Sequence, residues 1–227
     1  MQAAGEVMND YKKIRLRNYE LRLRPAHTLA RHMEIRSRSE SRSSSVAHIV
    51  RDWRTDLIEA HPDLFHPLPD NPGVAQASPE CGAGWQDLLE RACARIRAAV
   101  QADGGTFKFT QIKEKYGTAR LYWEGALSPE ADARVEEIID LGEARSACTC
   151  EVCGAEGRLH RAGGWLMTRC AAHAQGHPVP EKPGWENVTI SRVDARGTKT
   201  VVVKRRRYVR ETDSFVEIDP LIIGEGG

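Results

Sequence analysis

A chain of 227 residues, 41% of them apolar, can bury the core of one larger or two smaller domains. Its 33 Lys and Arg against 32 Asp and Glu leave a formal charge of +1, which argues against a uniformly basic nucleic-acid coat and an acidic solvating tail. No apolar run approaches the roughly 20 residues that span a bilayer, and charges scattered through residues 1–23 argue against a secretory signal, so a cytoplasmic protein with no membrane partner is expected.

The near-neutral total hides an asymmetry. Residues 1–54 hold 12 basic and 6 acidic side chains, a net +6, whereas residues 55–147 hold 9 and 16, a net −7. Residues 148–183 and 184–227 are each +1.

Residues 1–45 read as a basic, flexible arm. Arg15, Arg17, Arg22 and Arg24 alternate with apolar residues, and the Ser/Arg run from Arg36 to Ser45 has too little apolar surface to offset its ordering entropy. A solvated extension and a phosphate-binding arm are both open readings.

Residues 46–147 read as an α+β body. Ile49, Trp53, Leu57 and Ile58 fall at helical spacing and stop before His61-Pro62. Trp85, Leu88, Leu89, Ala92, Cys93, Ile96, Ala99 and Val100 make residues 84–102 the clearest helix, ended by Gly104-Gly105. The segments 106–112 and 118–123 read as two strands joined through Glu114-Lys-Tyr-Gly117, with Ala119, Leu121 and Trp123 facing the preceding helix. Ser128-Pro129-Glu130 has the chemistry of a helix start, and Ala131, Val135, Ile138 and Ile139 supply the buried stripe.

Residues 148–176 carry the strongest functional signal. Cys150-Glu-Val-Cys153-Gly154 and Cys170-Ala-Ala-His173 offer two pairs of soft donors at the spacing of zinc ligands. The intervening segment suits a hairpin turning at Gly163-Gly164, and Ala171 to Gln175 reads as a short helix carrying the second pair. Four protein donors close a tetrahedral site, so one structural Zn²⁺ is expected rather than a catalytic ion. His160 and His177 compete with His173 for the fourth place, and the Cys-x-x-His spacing, which matches the Cys-x-x-Cys pair, favours His173. Cys148 reads as a spare thiol, and Cys81 and Cys93 as loop and core residues.

Residues 177–227 read as a linker, whose Gly/Pro-rich composition already begins at Gly176 and runs to Gly184, followed by a β-hairpin of Val188–Val193 and Thr198–Val203 around Ala195-Arg-Gly197. The second strand continues into the basic run Lys204, Arg205, Arg206 and Arg207, with Tyr208 beside it. The expected class is α+β: a small helix-hairpin-helix unit, a treble-clef or zinc-ribbon-like finger, and a C-terminal β-hairpin.

The combination of Gly84-Trp85-Gln-Asp-Leu-Leu89, Gln111 to Trp123, Cys150-Glu-Val-Cys-Gly154, Gly164-Trp165 and Thr168-Arg-Cys-Ala-Ala-His173 resembles a family of uncharacterised bacterial and phage or prophage proteins. The resemblance covers about two fifths of the chain. It implies the helix-strand-strand-helix unit and the two metal pairs, and it implies no activity.

Three functions follow as expectations. The first is a non-enzymatic, zinc-stabilised module binding nucleic acid or a nucleoprotein complex, with Arg15, Arg17, Arg22, Arg24, Lys204, Arg205, Arg206 and Arg207 on phosphates and Tyr208 stacked on a base. The second is a mobile-element type of modulator or inhibitor whose acidic body engages a host nucleic-acid machine. The third is a metal-dependent nuclease, for which the hairpin would have to supply the chemistry through His160.

Overall fold

A computed structural model describes residues 52–181, 183–194 and 201–218. These form two compact units, 52–181 and 183–218. The arm, with Arg15, Arg17, Arg22 and Arg24, lies outside the described residues, as does Ile49.

The first unit opens with α1 (Trp53–Ala60), whose N-cap Asp52 accepts from the Arg54 N–H at 3.2 Å, and a single-turn α2 (Pro62–Phe65) started by proline. A 3₁₀ turn, Ala83–Trp85, leads into α3 (Gln86–Asp103). The expected helix thus begins two residues later than its apolar pattern, because Gly82 and Gly84 hold the chain against another segment described below. Leu88, Leu89, Ala92, Cys93 and Ile96 are its buried stripe. Gly104, at φ 73°, ends it in the left-handed region that suits glycine.

Strands β1 (Thr106–Lys115) and β2 (Thr118–Ala126) pair antiparallel and are longer than the alternation suggested. Lys115 pairs with Thr118, so only Tyr116 and Gly117 make the turn, both at positive φ (56° and 81°). That pair of signs matches the twist of the strands it joins. A bulge falls between Phe109 and Gln111, and it moves the buried face from Phe107 and Phe109 to Ile112 rather than Gln111.

Helix α4 (Pro129–Ala147) starts as expected, with Ser128 Oγ accepting from the Ala131 N–H at 3.2 Å. Ala131, Val135 and Ile139 are buried, and Gly142 and Ser146 extend the stripe toward its C-terminus. The polar ties of β2 run to this following helix. The Ala119 N–H donates to Ser146 Oγ at 2.8 Å, the Trp123 indole to Glu136 at 3.0 Å, and Arg120 pairs with Glu143 at 2.6 Å.

Between these layers, Phe107 stacks on Trp123 at 5.0 Å and meets Phe109 edge-on at 4.9 Å, with Phe65 closing the cluster. Trp85, Leu89, Ile96, Phe109, Ile112 and Ile139 are fully buried, each stabilising the fold by about 1.5–3 kcal/mol. Beyond α4 come β3 (Arg158–Ala162), β4 (Trp165–Arg169) and the two-residue β5 (His177–Pro178), in the sheet order β4-β3-β5. The residues read as a linker therefore begin with a strand.

The second unit is a three-stranded antiparallel sheet, β6 (Val188–Asp194), β7 (Val201–Val209) and β8 (Ser214–Glu217), in that order. The two expected strands pair, residues 195–200, which include the first three of the expected second strand, lie outside the described residues, and β8 is an addition. The protein is mixed α and β, built on small antiparallel sheets.

Candidate metal centre

Cys148 caps the C-terminus of α4, and the chain then folds into a tight knuckle. The Cys150 N–H donates to Ala155 O at 2.8 Å, the Gly154 N–H to Cys150 O at 2.8 Å, and the Gly157 N–H to Cys148 O at 3.0 Å. Gly154 takes φ 76°, which any side chain would resist. The hairpin β3–β4 turns at Gly163-Gly164, with Ala162 paired to Trp165, and returns the chain to Cys170.

The segment after Cys170 differs from expectation. Residues 171–173 form one turn, closed by His173 N–H on Cys170 O at 3.1 Å, and no helix follows. The reason lies just downstream. Gly176 packs so closely on β3 that a Cβ there would sit 2.1 Å from Arg161 O, and His177 must pair with Arg161 one residue later. Too few residues remain between these anchors for a helix.

The result brings Cys150, Cys153, Cys170 and His173 together, with one donor atom from each within 4.8 Å of every other. Cys150 Sγ lies 3.7 Å from His173 Nδ1, Cys170 Sγ 3.3 Å from the same nitrogen, and Cys153 Sγ 3.7 Å from Cys170 Sγ. A tetrahedral Zn²⁺ with Zn–S of about 2.3 Å and Zn–N of about 2.0 Å has edges of about 3.8 Å (S–S) and about 3.5 Å (S–N). The observed separations are close to those edges and far too long for a disulfide. The donor set fits one metal ion.

The electrostatics fit as well. Burial acts to raise the Cys150 thiol, but the backbone N–H groups of Cys170, Cys153 and Val152 turned toward its sulfur outweigh it and hold the group down at about 6. At Cys153 the Ala155 N–H favours the thiolate, yet burial and the neighbouring Cys170 and Cys150 sulfurs push the group above its ordinary value. Several thiolates this close repel one another until a cation neutralises them.

A supporting set surrounds the donors. Glu151, inside the first pair, accepts from the Gly82 N–H through Oε1 at 2.9 Å and binds Arg169 Nη1 through Oε2 at 2.8 Å. The Gly84 N–H donates to Glu151 O at 2.8 Å, and the Trp85 indole donates to Thr149 O at 2.9 Å. A Cβ on Gly84 would lie 2.2 Å from Cys150 O and 2.5 Å from Gly154 N, so the knuckle rests directly on the backbone that starts α3. On the other side, Thr168 Oγ1 donates to Gly117 O at 2.6 Å, seating β4 on the β1–β2 turn. Sequence reading missed Glu151, Arg169 and Thr168. A signal existed: opposite charges stand immediately beside a ligand in each pair.

The remaining candidates fall elsewhere. His160 is buried in β3, its Nδ1 2.9 Å from Arg158 O, and His177 is exposed on β5. Neither joins the cluster, so His173 is the imidazole in it. Cys148 turns its thiol back to Arg145 O at 3.3 Å. Cys81 and Cys93 are buried, and burial pushes the Cys81 thiol up to about 12 and the Cys93 thiol higher still.

The expected basic stripe is divided by the pleat of β7, on which Lys204 also falls. Arg205 lies over the Trp185 ring at 4.4 Å, and Arg206 over Phe215 at 4.1 Å. Arg207 is exposed and donates to Gly184 O at 2.9 Å. Tyr208, expected to stack on a base, is instead buried at 2% exposure, edge-on to Phe215 with its hydroxyl on Asp213 at 2.7 Å. Alternate side chains of a strand point to opposite faces, so Arg205, Arg206 and Arg207 do not form one patch.

Among the described residues no helix is long and apolar enough to cross a membrane. No family model matches the chain, and neither a curated protein nor a solved structure shows significant similarity to it.

Proposed function

We propose that the chain is a non-enzymatic binding protein in which one structural Zn²⁺, held by Cys150, Cys153, Cys170 and His173, fixes a zinc-ribbon-like finger onto an α+β body, and that its ligand is nucleic acid. The observation that carries the metal reading is the set of three sulfurs and one imidazole gathered within 4.8 Å of one another, with three of their separations at 3.3–3.7 Å, close to tetrahedral edges. All four positions come from protein, which leaves none for a reacting water. One knuckle, a hairpin and a turn-borne second pair, with no helix after it, favour a ribbon over a treble clef.

The net +6 of residues 1–54, which include the basic arm, and the exposed Arg207 support an anionic ligand. We also place the chain with the bacterial and phage family it resembles. Gly84, Trp85, Gly117 and Thr168, all within the resembling segments, are the residues that join finger to body.

A fluorescence titration of labelled RNA and DNA at two salt concentrations tests the ligand. Affinity that falls with salt supports the reading, and absence of binding to both sinks it. The acid excess of residues 55–147, net −7, favours a second reading: a mobile-element modulator that docks on the basic surface of a host nucleic-acid machine. Capture of such a machine by wild-type chain, and not by a charge-reversed body, would select it.

A further inference from the structure

The β3–β4 hairpin and the turn after it form a stretch of basic residues without acids. From Gly157 through Pro180 the chain has no Asp or Glu, yet it carries Arg158, Arg161, Arg169 and three histidines. Elsewhere in the same unit, Arg54, Arg91, Arg97, Arg120 and Arg145 each face a carboxylate, and within the hairpin Arg169 pairs with Glu151. Arg158 and Arg161 are exposed, and neither has an ion-pair partner among the described residues.

The tip of the same hairpin presents Trp165, 76% exposed, the most exposed large apolar side chain of the described residues. Gly163 and Gly164 precede it with open space where side chains would stand. Pairing of Ala162 with Trp165 and of Arg158 with Arg169 places Arg158 on the Trp165 face, about 13 Å along the strand. Arg161 lies beside the turn on the opposite face.

We propose that this hairpin is a single-stranded nucleic-acid site, in which Trp165 stacks on a base, Arg158 on the same face contacts a flanking phosphate, and Arg161 contacts another where the strand passes round the open Gly163-Gly164 turn. The proposal rests on the nucleic-acid reading above and moves its centre from the arm and β7 to the finger. An aromatic platform with unpaired guanidinium groups fits a flexible polyanion whose bases have free faces. A base inside a duplex keeps its faces covered by its neighbours. A lipid surface fits less well, because two glycines rather than further apolar side chains lead into Trp165. The metal's part is to hold the hairpin rigid: β4 leads straight into Cys170, and Thr168 anchors it on Gly117.

The test uses the full, zinc-loaded chain and labelled single strands of about 16 nucleotides, as RNA and as DNA, with a duplex of the same sequence. Trp165→Ala should weaken single-strand binding roughly five- to one-hundred-fold, and Trp165→Phe should restore most of it. Arg158→Gln with Arg161→Gln should lower the slope of log affinity against log salt by about 1.4. Zinc content equal to wild type shows that each variant keeps its finger. Trp165-dependent binding of RNA or of DNA supports the site and names its strand. Wild-type binding that Trp165→Ala leaves unchanged overturns this site while the nucleic-acid reading stands. No binding of any strand overturns both. Trp165-dependent binding to phosphatidylserine vesicles, without binding to either strand, overturns the proposal in favour of a membrane surface.

Discussion

Glu151 and Arg169 each stand next to a metal-centre donor, Cys150 and Cys170, and their side chains meet at 2.8 Å with only 13% and 18% of their surfaces exposed. One ion pair therefore ties the two halves of the donor set together from behind. The other carboxylate oxygen of Glu151 reaches the Gly82 N–H, so the same residue also holds the knuckle on the body.

Glu151→Ala is expected to destabilise the zinc-loaded chain by about 3 kcal/mol, since it leaves a largely buried guanidinium and a backbone N–H without their partner. Glu151→Gln should cost about 1–2 kcal/mol, because its amide oxygen can still accept from Gly82. Urea denaturation of both variants checks the order, and equal losses would remove the second role of the side chain.

Two glycines predict opposite signs. Gly84→Ala drives a methyl into the Cys150 carbonyl and the Gly154 nitrogen, rigid backbone on both counts, and should cost about 2 kcal/mol or more and weaken zinc binding. Gly142, inside α4 at ordinary helical φ and with open space around its Cβ position, should gain about 0.5–1 kcal/mol as alanine. Thermal melts of the two variants should move in opposite directions.

Thiol accessibility should follow the metal. In the loaded protein the three ligand sulfurs are protected, and Cys81, Cys93 and Cys148 are buried. A chelator should expose Cys150, Cys153 and Cys170 to a disulfide reagent, while Cys81 and Cys93 should react only in denaturant. Rapid labelling of Cys81 in the native chain would contradict its placement.

The centre should also respond to acid. The folded chain holds the Cys150 thiol at about 6, below its ordinary value of 9.0, so the folded state releases a proton that the unfolded state keeps between those values. Stability from this group is complete above the unfolded value and declines as pH falls toward 6. Zinc should stay bound at pH 8 and be released on acidification, as followed with a colorimetric chelator. Retention that does not change from pH 8 to pH 4 would contradict the thiolate assignment.

How far the sequence went depended on how local each signal was. Ser128-Pro129 and Gly104 act through their own backbone, and the expected boundaries stood within a residue or two of the observed ones. The two Cys/His pairs were legible because their spacing is set by the metal geometry alone. The Cys-x-x-His spacing favours His173 over His160 and His177, and the return of the hairpin brings His173 to the three sulfurs. The bulge after Phe109 was hidden because one extra residue shifts the pleat without changing composition. The helix expected over 171–175 failed for a non-local reason, the close packing of Gly176 on β3. Tyr208 is buried although it follows a basic run, because a strand sends its neighbours to opposite faces.

X-ray absorption at the zinc edge of the purified chain tests the metal centre most directly. About one zinc per chain is expected, with three sulfurs at about 2.3 Å and one nitrogen at about 2.0 Å, and loss of that zinc in Cys150→Ser and Cys170→Ser. A chain without stoichiometric metal, an oxygen in place of one of the four donors, or undiminished zinc in both variants would contradict that expectation.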